Sequence, residues 1–208
     1  MHLILIGSEY AGKTTLAVEI SRWMMQATSM PFVRWHNHFV VPRVDTHLVV
    51  RADDGAAFPG KQVEDLNTEA DEQQIMSLRP SVLEQLTRHM VWRHLHPDMY
   101  REDEHVLIIN HYYAEAVYAP LYYGYGEGGS FADRRARARE WDSELLRLAP
   151  DTVLVLVRAS ADVIRQRMRR SPRDRGILKE ADVELVLDRF AEEYESSMIP
   201  RRFELDTS

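Results

Sequence analysis

The stretch "GSEYAGKTT", residues 7–15, decides how the rest of the chain is read. Gly7, Gly12, Lys13 and Thr14 match the pattern G-x-x-x-x-G-K-[ST]. The apolar "HLILI" before it reads as a buried strand. The segment after it, from Thr14 to Met25, reads as a helix, with Leu16, Ile20, Trp23 and Met24 at helical spacing. Strand, glycine turn and helix are the setting the pattern needs. The glycines let backbone N–H groups turn inward on a phosphate, and the helix start adds partial positive charge. A lysine at position 13 reaches terminal phosphates, and the Thr14 hydroxyl suits Mg²⁺. The residues expected around a nucleotide triphosphate are therefore Gly7, Ala11, Gly12, Lys13, Thr14 and Thr15, with Thr14 as the metal ligand. Two residues inside the loop are unusual: the carboxylate Glu9 and the bulky ring Tyr10.

Working outward, the 208 residues fit one domain with a sizeable core, taken as 1–208. No apolar run approaches the ~18 residues that span a bilayer. The chain has no cysteine, which removes disulfides and thiolate metal sites and fits a cytoplasmic protein. The net charge of −7 gives no general affinity for nucleic acid.

Further strands are expected at "FVRWHNHFVV", ending near Pro42, at "HVLII" (105–109), at "TVLVLV" (152–157) and at the closing "RRFELDTS". Helices are expected over "SVLEQLTRHMVWRHLH", "AEAVYAPLYY", "DRRARAREWDSELLRL", "SADVIRQRMRR" with Ser160 as N-cap, and "EADVELVLDRFAEEYESSM". Residues 51–74 are polar and punctuated by Gly and Pro. They read as a loop, with a helix starting after Asp65. Apolar strands alternating with amphipathic helices imply a three-layer α/β/α fold with a parallel sheet of about five strands.

A phosphate loop alone does not select a reaction. The N-K-x-D base-recognition motif of GTPases is absent, and the apolar "VLII" ends in Asn110 and His111 rather than in an acid. "RQRMRRSPRDRG" carries six arginines between 165 and 175. It is either a face salt-bridged to the acidic helix that follows or, as favoured, a lid over about 165–180 closing on a polyphosphate. "WHNHF" places His36, Asn37 and His38 near a strand's carboxyl end, where parallel α/β sheets bind ligands. Acceptor recognition, a His-x-His metal site and ordinary strand polarity remain open for them. Arg43 and Asp45 follow and suit the same crevice. His94 and His96 read as surface. Tyr112 and Tyr113 either stack on a base or pack the core. The basic run Arg134, Arg135, Arg137 and Arg139 would suit a polyanion such as DNA, but reads rather as a solvated face.

Over nearly its whole length the chain resembles the P-loop nucleoside and nucleotide kinases, thymidylate kinases in particular. "GSEYAGKTT" resembles their phosphate loop, which often has an acid at the third position. "INHYYAEAVYAPLYYGYG" resembles their Asp-Arg-Tyr segment, "VLVLVRASADVIRQRMRR" the approach to their lid, and "DRFAEEYESS" and "RRFELDTS" their last helix and strand. The resemblance implies transfer of the γ-phosphoryl group of ATP, with Mg²⁺, to a small nucleotide or nucleoside acceptor, and a homodimer. It implies that Lys13 and Thr14 hold the ATP phosphates and metal. Glu9 would face the acceptor. Arg167, Arg173 and Arg175 would join Lys13 in catalysis, since Tyr10 carries no charge. The acceptor side falls to Glu9, His36, Asn37, His38, Asn110, His111 and Tyr112. Asn110-His111 stands where the family has Asp-Arg, and "RWHNHF" replaces its proline-glycine-glycine-threonine loop. A kinase of a non-nucleotide hydroxyl or of a modified DNA base, and a nucleotide-binding regulator without transfer, stand as alternatives.

Overall fold

The computed structural model describes residues 1–37, 47–51, 68–101, 105–130, 132–173 and 176–208; for 37 and 47–51 it describes the backbone alone. Its centre is strand β1, His2–Ile6, buried along its full length. β1 lies between β4, Val106–Ile109, and β5, Val153–Arg158, parallel to both. Ile4 is in register with Ile108 on one side and Leu154 on the other. Covered on both faces, these strands need no polar alternation, which is why they read as continuous apolar runs.

The sheet order is β3-β2-β4-β1-β5-β6, with β2 at Phe32–Asn37, β3 at His47–Arg51 and β6 at Arg201–Asp206. Strands β2, β4, β1, β5 and β6 form the expected parallel set. The expectation lacked β3, which pairs antiparallel with β2, Phe32 opposite Arg51 and His36 opposite His47.

The helices among the described residues are α1 Lys13–Thr28, α2 Glu69–Met76, α3 Pro80–His94, α4 His111–Tyr118, α5 Arg134–Leu148, α6 Ala161–Arg170 and α7 Val183–Ser196. Their starts follow from capping chemistry. Thr68 forms a capping box with Asp71, Asp133 accepts from the Ala136 N–H at 2.9 Å, and Ser160 caps α6 as expected. Helix α4 widens into a π turn at Ala119–Tyr123, where Pro120 removes a backbone donor, and stops at Gly124 with φ 69°. Helix α1 packs on β1, β2 and β4; α4 and α7 pack on β1 and β5 respectively and on each other. Met24 of α1 is buried as read, whereas Trp23 is 53% exposed on the opposite side.

The basic run on α5 is only in part a solvated face: Arg137 is exposed and pairs with Glu140, while the other three arginines turn toward buried carboxylates. Arg134 is fully buried; it donates to Glu84 Oε1 at 2.8 Å and Thr87 Oγ1 at 3.0 Å, and its Nε lies 3.6 Å from Glu115 Oε2. Tyr125 donates to the same Glu115 oxygen at 2.8 Å and stacks under the guanidinium. Arg135 and Arg139 both donate to the buried Glu193 of α7, at 2.7 and 3.0 Å. Burial raises the pKa of Glu193, and the two arginines oppose that rise. Only a charge matched this closely is tolerated at such depth, so Arg134 and Arg139 are held against buried carboxylates.

Candidate functional site

The phosphate loop runs from the carboxyl end of β1 into α1, where crevices of parallel sheets lie. A side chain at Gly7 would run into the Val157 carbonyl oxygen of β5, so only glycine fits there. Gly12, at φ 88°, caps α1 without a side-chain acceptor, and the first turn of the helix carries no acid. Its amides and its partial charge therefore face outward uncompensated. Thr14 and Thr15 are exposed on that turn. Lys13 is buried and donates to the carbonyls of Gly7 and Ser8 at 2.7 and 2.5 Å. Burial pushes its pKa down to about 7; Glu9 pulls it back up and Arg173 pushes it further down. The Ser8 hydroxyl is fully buried and has no hydrogen-bond partner among the described residues. Two left-handed glycines, an uncapped helix start, a buried ammonium and an unspent hydroxyl fit a magnesium-bound polyphosphate.

The arginines after β5 divide into two sets. Arg165 and Arg169, one turn apart on α6, pair with Glu184 and Glu180. Arg167 points elsewhere. Its Nη1 donates to the Tyr10 carbonyl at 3.0 Å and to Thr207 Oγ1 at 3.1 Å, and Nη2 donates to the Thr207 carbonyl at 2.5 Å. Thr207 in turn donates to the Ala11 carbonyl at 2.9 Å, so the phosphate loop is tied to α6 and to the residue after β6. Arg173 lies over the Tyr10 ring at 4.7 Å, and its backbone N–H donates to the Tyr10 hydroxyl at 3.1 Å. A cavity of about 690 Å³ opens beside these groups, lined by Tyr10, Gly12, Thr15, Leu16, Arg167 and Arg173 among others. Arg175 lies outside the described residues.

Glu9 meets the segment that follows α6. Its Oε2 accepts the N–H groups of Ile177 and Leu178 at 2.9 and 2.7 Å, and Arg173 Nη1 is 3.9 Å from its Oε1. The Glu9 N–H donates to the Tyr118 hydroxyl at 3.1 Å. Tyr118 stacks on Tyr122, which donates to Asp182 at 2.9 Å and carries Lys179 over its ring. From sequence, Tyr118 and Tyr122 read only as residues packing the helix on the sheet, and Thr207 carries no signal of a role at the loop. The four-residue spacing of the two tyrosines was the available signal, since it puts them on one helical face.

On the acceptor side, Asn110 and His111 hold consecutive positive φ values of 69° and 49°. Neither is glycine, so this turn between β4 and α4 stores strain of the kind found at functional sites. The Asn110 N–H donates to the Leu5 carbonyl at 2.7 Å, while its buried Oδ1 has no partner among the described residues. His111 is fully buried, its ring 4.4 Å from that of Tyr112 and 6.1 Å from that of His94. His36 is buried too and packs on His94 at 3.9 Å. His94 is therefore a core residue, not a surface one; His96 is exposed as read. Tyr112 is also a correction. It is fully buried and donates to Asp142 of α5 at 2.7 Å, so its ring packs the core and does not face the crevice. Asn37 is placed by its backbone at the end of β2, opposite Ile109. His38, Arg43 and Asp45 lie outside the described residues. Among the described residues no group of three His, Asp or Glu is placed to hold a metal ion.

The solved structure of deoxyadenosine kinase from M. mycoides with bound dATP matches 99% of this chain and 91% of that one, with a TM-score of 0.52 at 14% identity. That kinase with bound dCTP matches 99% and 90%, with a TM-score of 0.51 at 13% identity. The fold is similar to that of these two deoxyadenosine kinase structures. Within this fold the five parallel strands, the loop at the end of β1 and the helix behind it take their expected places. No protein-family model matches the chain, and no curated protein sequence does. No helix among the described residues is long and apolar enough to cross a membrane.

Proposed function

We propose that the chain is an ATP-dependent kinase that transfers the γ-phosphoryl group to a hydroxyl of a small nucleoside or nucleotide acceptor. The observation that carries this reading is the convergence on one loop of Lys13, Arg167 and Arg173, on a fold shared with deoxyadenosine kinases. Gly7, Ala11, Gly12, Lys13, Thr14 and Thr15 would bind the triphosphate, and the exposed Thr14 hydroxyl would hold Mg²⁺. The metal, when bound, neutralises charge on the phosphate oxygens. Lys13 supplies an ammonium already stripped of water, which raises its worth to a developing oxyanion. Residues 165–180 act as a lid, in which Arg167 is a strut and Arg173 the cation nearer the reaction.

A nucleoside fits the acceptor side better than a nucleotide. The resemblance places a phosphate-gripping arginine at position 111, and here a buried imidazole stands there, packed against Tyr112. Asn110 offers its free Oδ1 to an acceptor hydroxyl. The DNA-directed alternative is weakened, because Arg134, Arg135 and Arg139 are paired with the protein's own carboxylates and leave Arg137 as the exposed member of the run.

The test is a panel of nucleosides, nucleoside monophosphates and non-nucleotide alcohols with γ-labelled ATP, run with Lys13→Ala in parallel. Label transfer to a nucleoside that disappears in Lys13→Ala is the expected result. ATP binding without transfer to any acceptor would sink the kinase assignment in favour of the regulator.

A further inference from the structure

Tyr10 makes three separate contacts with the arginines that follow β5. Its ring lies under the Arg173 guanidinium at 4.7 Å, its hydroxyl accepts the Arg173 N–H at 3.1 Å, and its carbonyl accepts from Arg167 at 3.0 Å. It does this from φ 63°, a conformation that bulky side-chain-bearing residues rarely adopt. Such strain persists where the surroundings over-determine it, and here the surroundings are the contacts to Arg173 and Arg167.

We propose that Tyr10 is a positioning residue that fixes the Arg173 guanidinium against the phosphate loop for phosphoryl transfer. This rests on the kinase reading and names a determinant within it. Stacking has a specific advantage. A guanidinium carries all its donors in its plane, so a ring against its face immobilises it and leaves its edge available to phosphate oxygens. A carboxylate partner would instead consume the edge and the charge. Glu9 Oε1, 3.9 Å from Arg173 Nη1, is beyond hydrogen-bond distance, and the Glu9 carboxylate accepts backbone amides through its other oxygen. Arg173 already makes itself felt at the phosphate-binding ammonium, since its charge lowers the Lys13 pKa. A neutral aromatic residue in the loop thus works through a charge carried by a segment far along the chain.

The test is a double-mutant cycle read by kinetics and by proteolysis. Tyr10→Ala is expected to lower kcat by roughly tenfold, with KM for ATP changed less than about threefold. Tyr10→Phe, which keeps the ring, is expected to recover most of that loss. On an Arg173→Ala background, Tyr10→Ala is expected to cost less than about twofold more. Trypsin is expected to cut after Arg170 and Arg173 faster in Tyr10→Ala than in the unaltered protein. Losses that multiply in the double mutant would overturn the positioning role, and unchanged cleavage would overturn the docking. An unaltered protein that labels no acceptor, yet shows Tyr10-dependent protection from trypsin, overturns the kinase reading and the catalytic role together and leaves the docked contact standing.

Discussion

The Lys13 ammonium donates to the Gly7 carbonyl at 2.7 Å, folded back on the loop that is expected to receive phosphate. Its pKa of about 7, against an ordinary 10.5, makes protonation and ligand binding interdependent. Between those two values the unfolded chain holds a proton that the folded chain has given up. Stability is therefore expected to rise with pH across that window, and Lys13→Met is expected to flatten the rise. Urea midpoints at pH 7 and pH 9 measure it. A bound polyphosphate restores the charge, so ATP binding at pH 8 is expected to take up part of a proton. Titration calorimetry in two buffers of different ionisation enthalpy reads that uptake, and its survival in Lys13→Met would contradict the assignment.

Glu9 is expected to govern the order of the segment beyond α6. Two backbone hydrogen bonds to a charged acceptor are worth about 1.5–3 kcal/mol each. Glu9→Ala is expected to speed amide hydrogen exchange at Ile177 and Leu178 by at least about tenfold. Glu9→Gln keeps an acceptor but removes the charge that holds the Lys13 pKa up, so the midpoint of the Lys13 titration is expected to fall. Exchange rates in Glu9→Ala equal to those of the unaltered protein would show that the contact does not order the segment.

Gly7→Ala is expected to destabilise the fold by about 1–3 kcal/mol, because the added methyl meets the Val157 carbonyl of the neighbouring strand. A lowered urea midpoint with an unchanged slope is the readout. No loss of stability would mean that the strand and loop part more easily than their packing implies.

Arg134→Met is expected to cost about 3–5 kcal/mol, since it removes the buried cation that Glu84 and Glu115 share. Adding Glu84→Gln is expected to recover part of the loss. Thermal unfolding of the single and double variants decides it, and an equal or larger loss in the double variant would argue against charge imbalance as the cause.

Readable and unreadable features differ in how local their causes are. Strands β1, β4 and β5 announce themselves because burial on both faces demands unbroken apolar runs. The phosphate loop is legible because two glycines and a lysine must stand at fixed spacing. Strand β3 is not legible. It is a short edge segment, one step from a stretch rich in Asp, Gly and Pro, and its pairing depends on β2. Glu9 could be marked as unusual, but its partners are main-chain amides of Ile177 and Leu178, and a backbone amide leaves no trace in residue type. His94 and Arg134 mislead for a related reason. Both look like surface residues until His36 and Glu84 are brought beside them by the fold.

The place of β1 in the sheet bears on how the protein is made. Strand β1 is made well before either of its sheet neighbours, residues 106–109 and 153–158. Its loop is then fastened by Thr207, almost the last residue of the chain described. During synthesis this buried-to-be strand and its loop therefore wait for distant partners, a dependence that slows folding and invites chaperones. The loop after β1 is therefore expected to take its final shape only once Thr207 is in place.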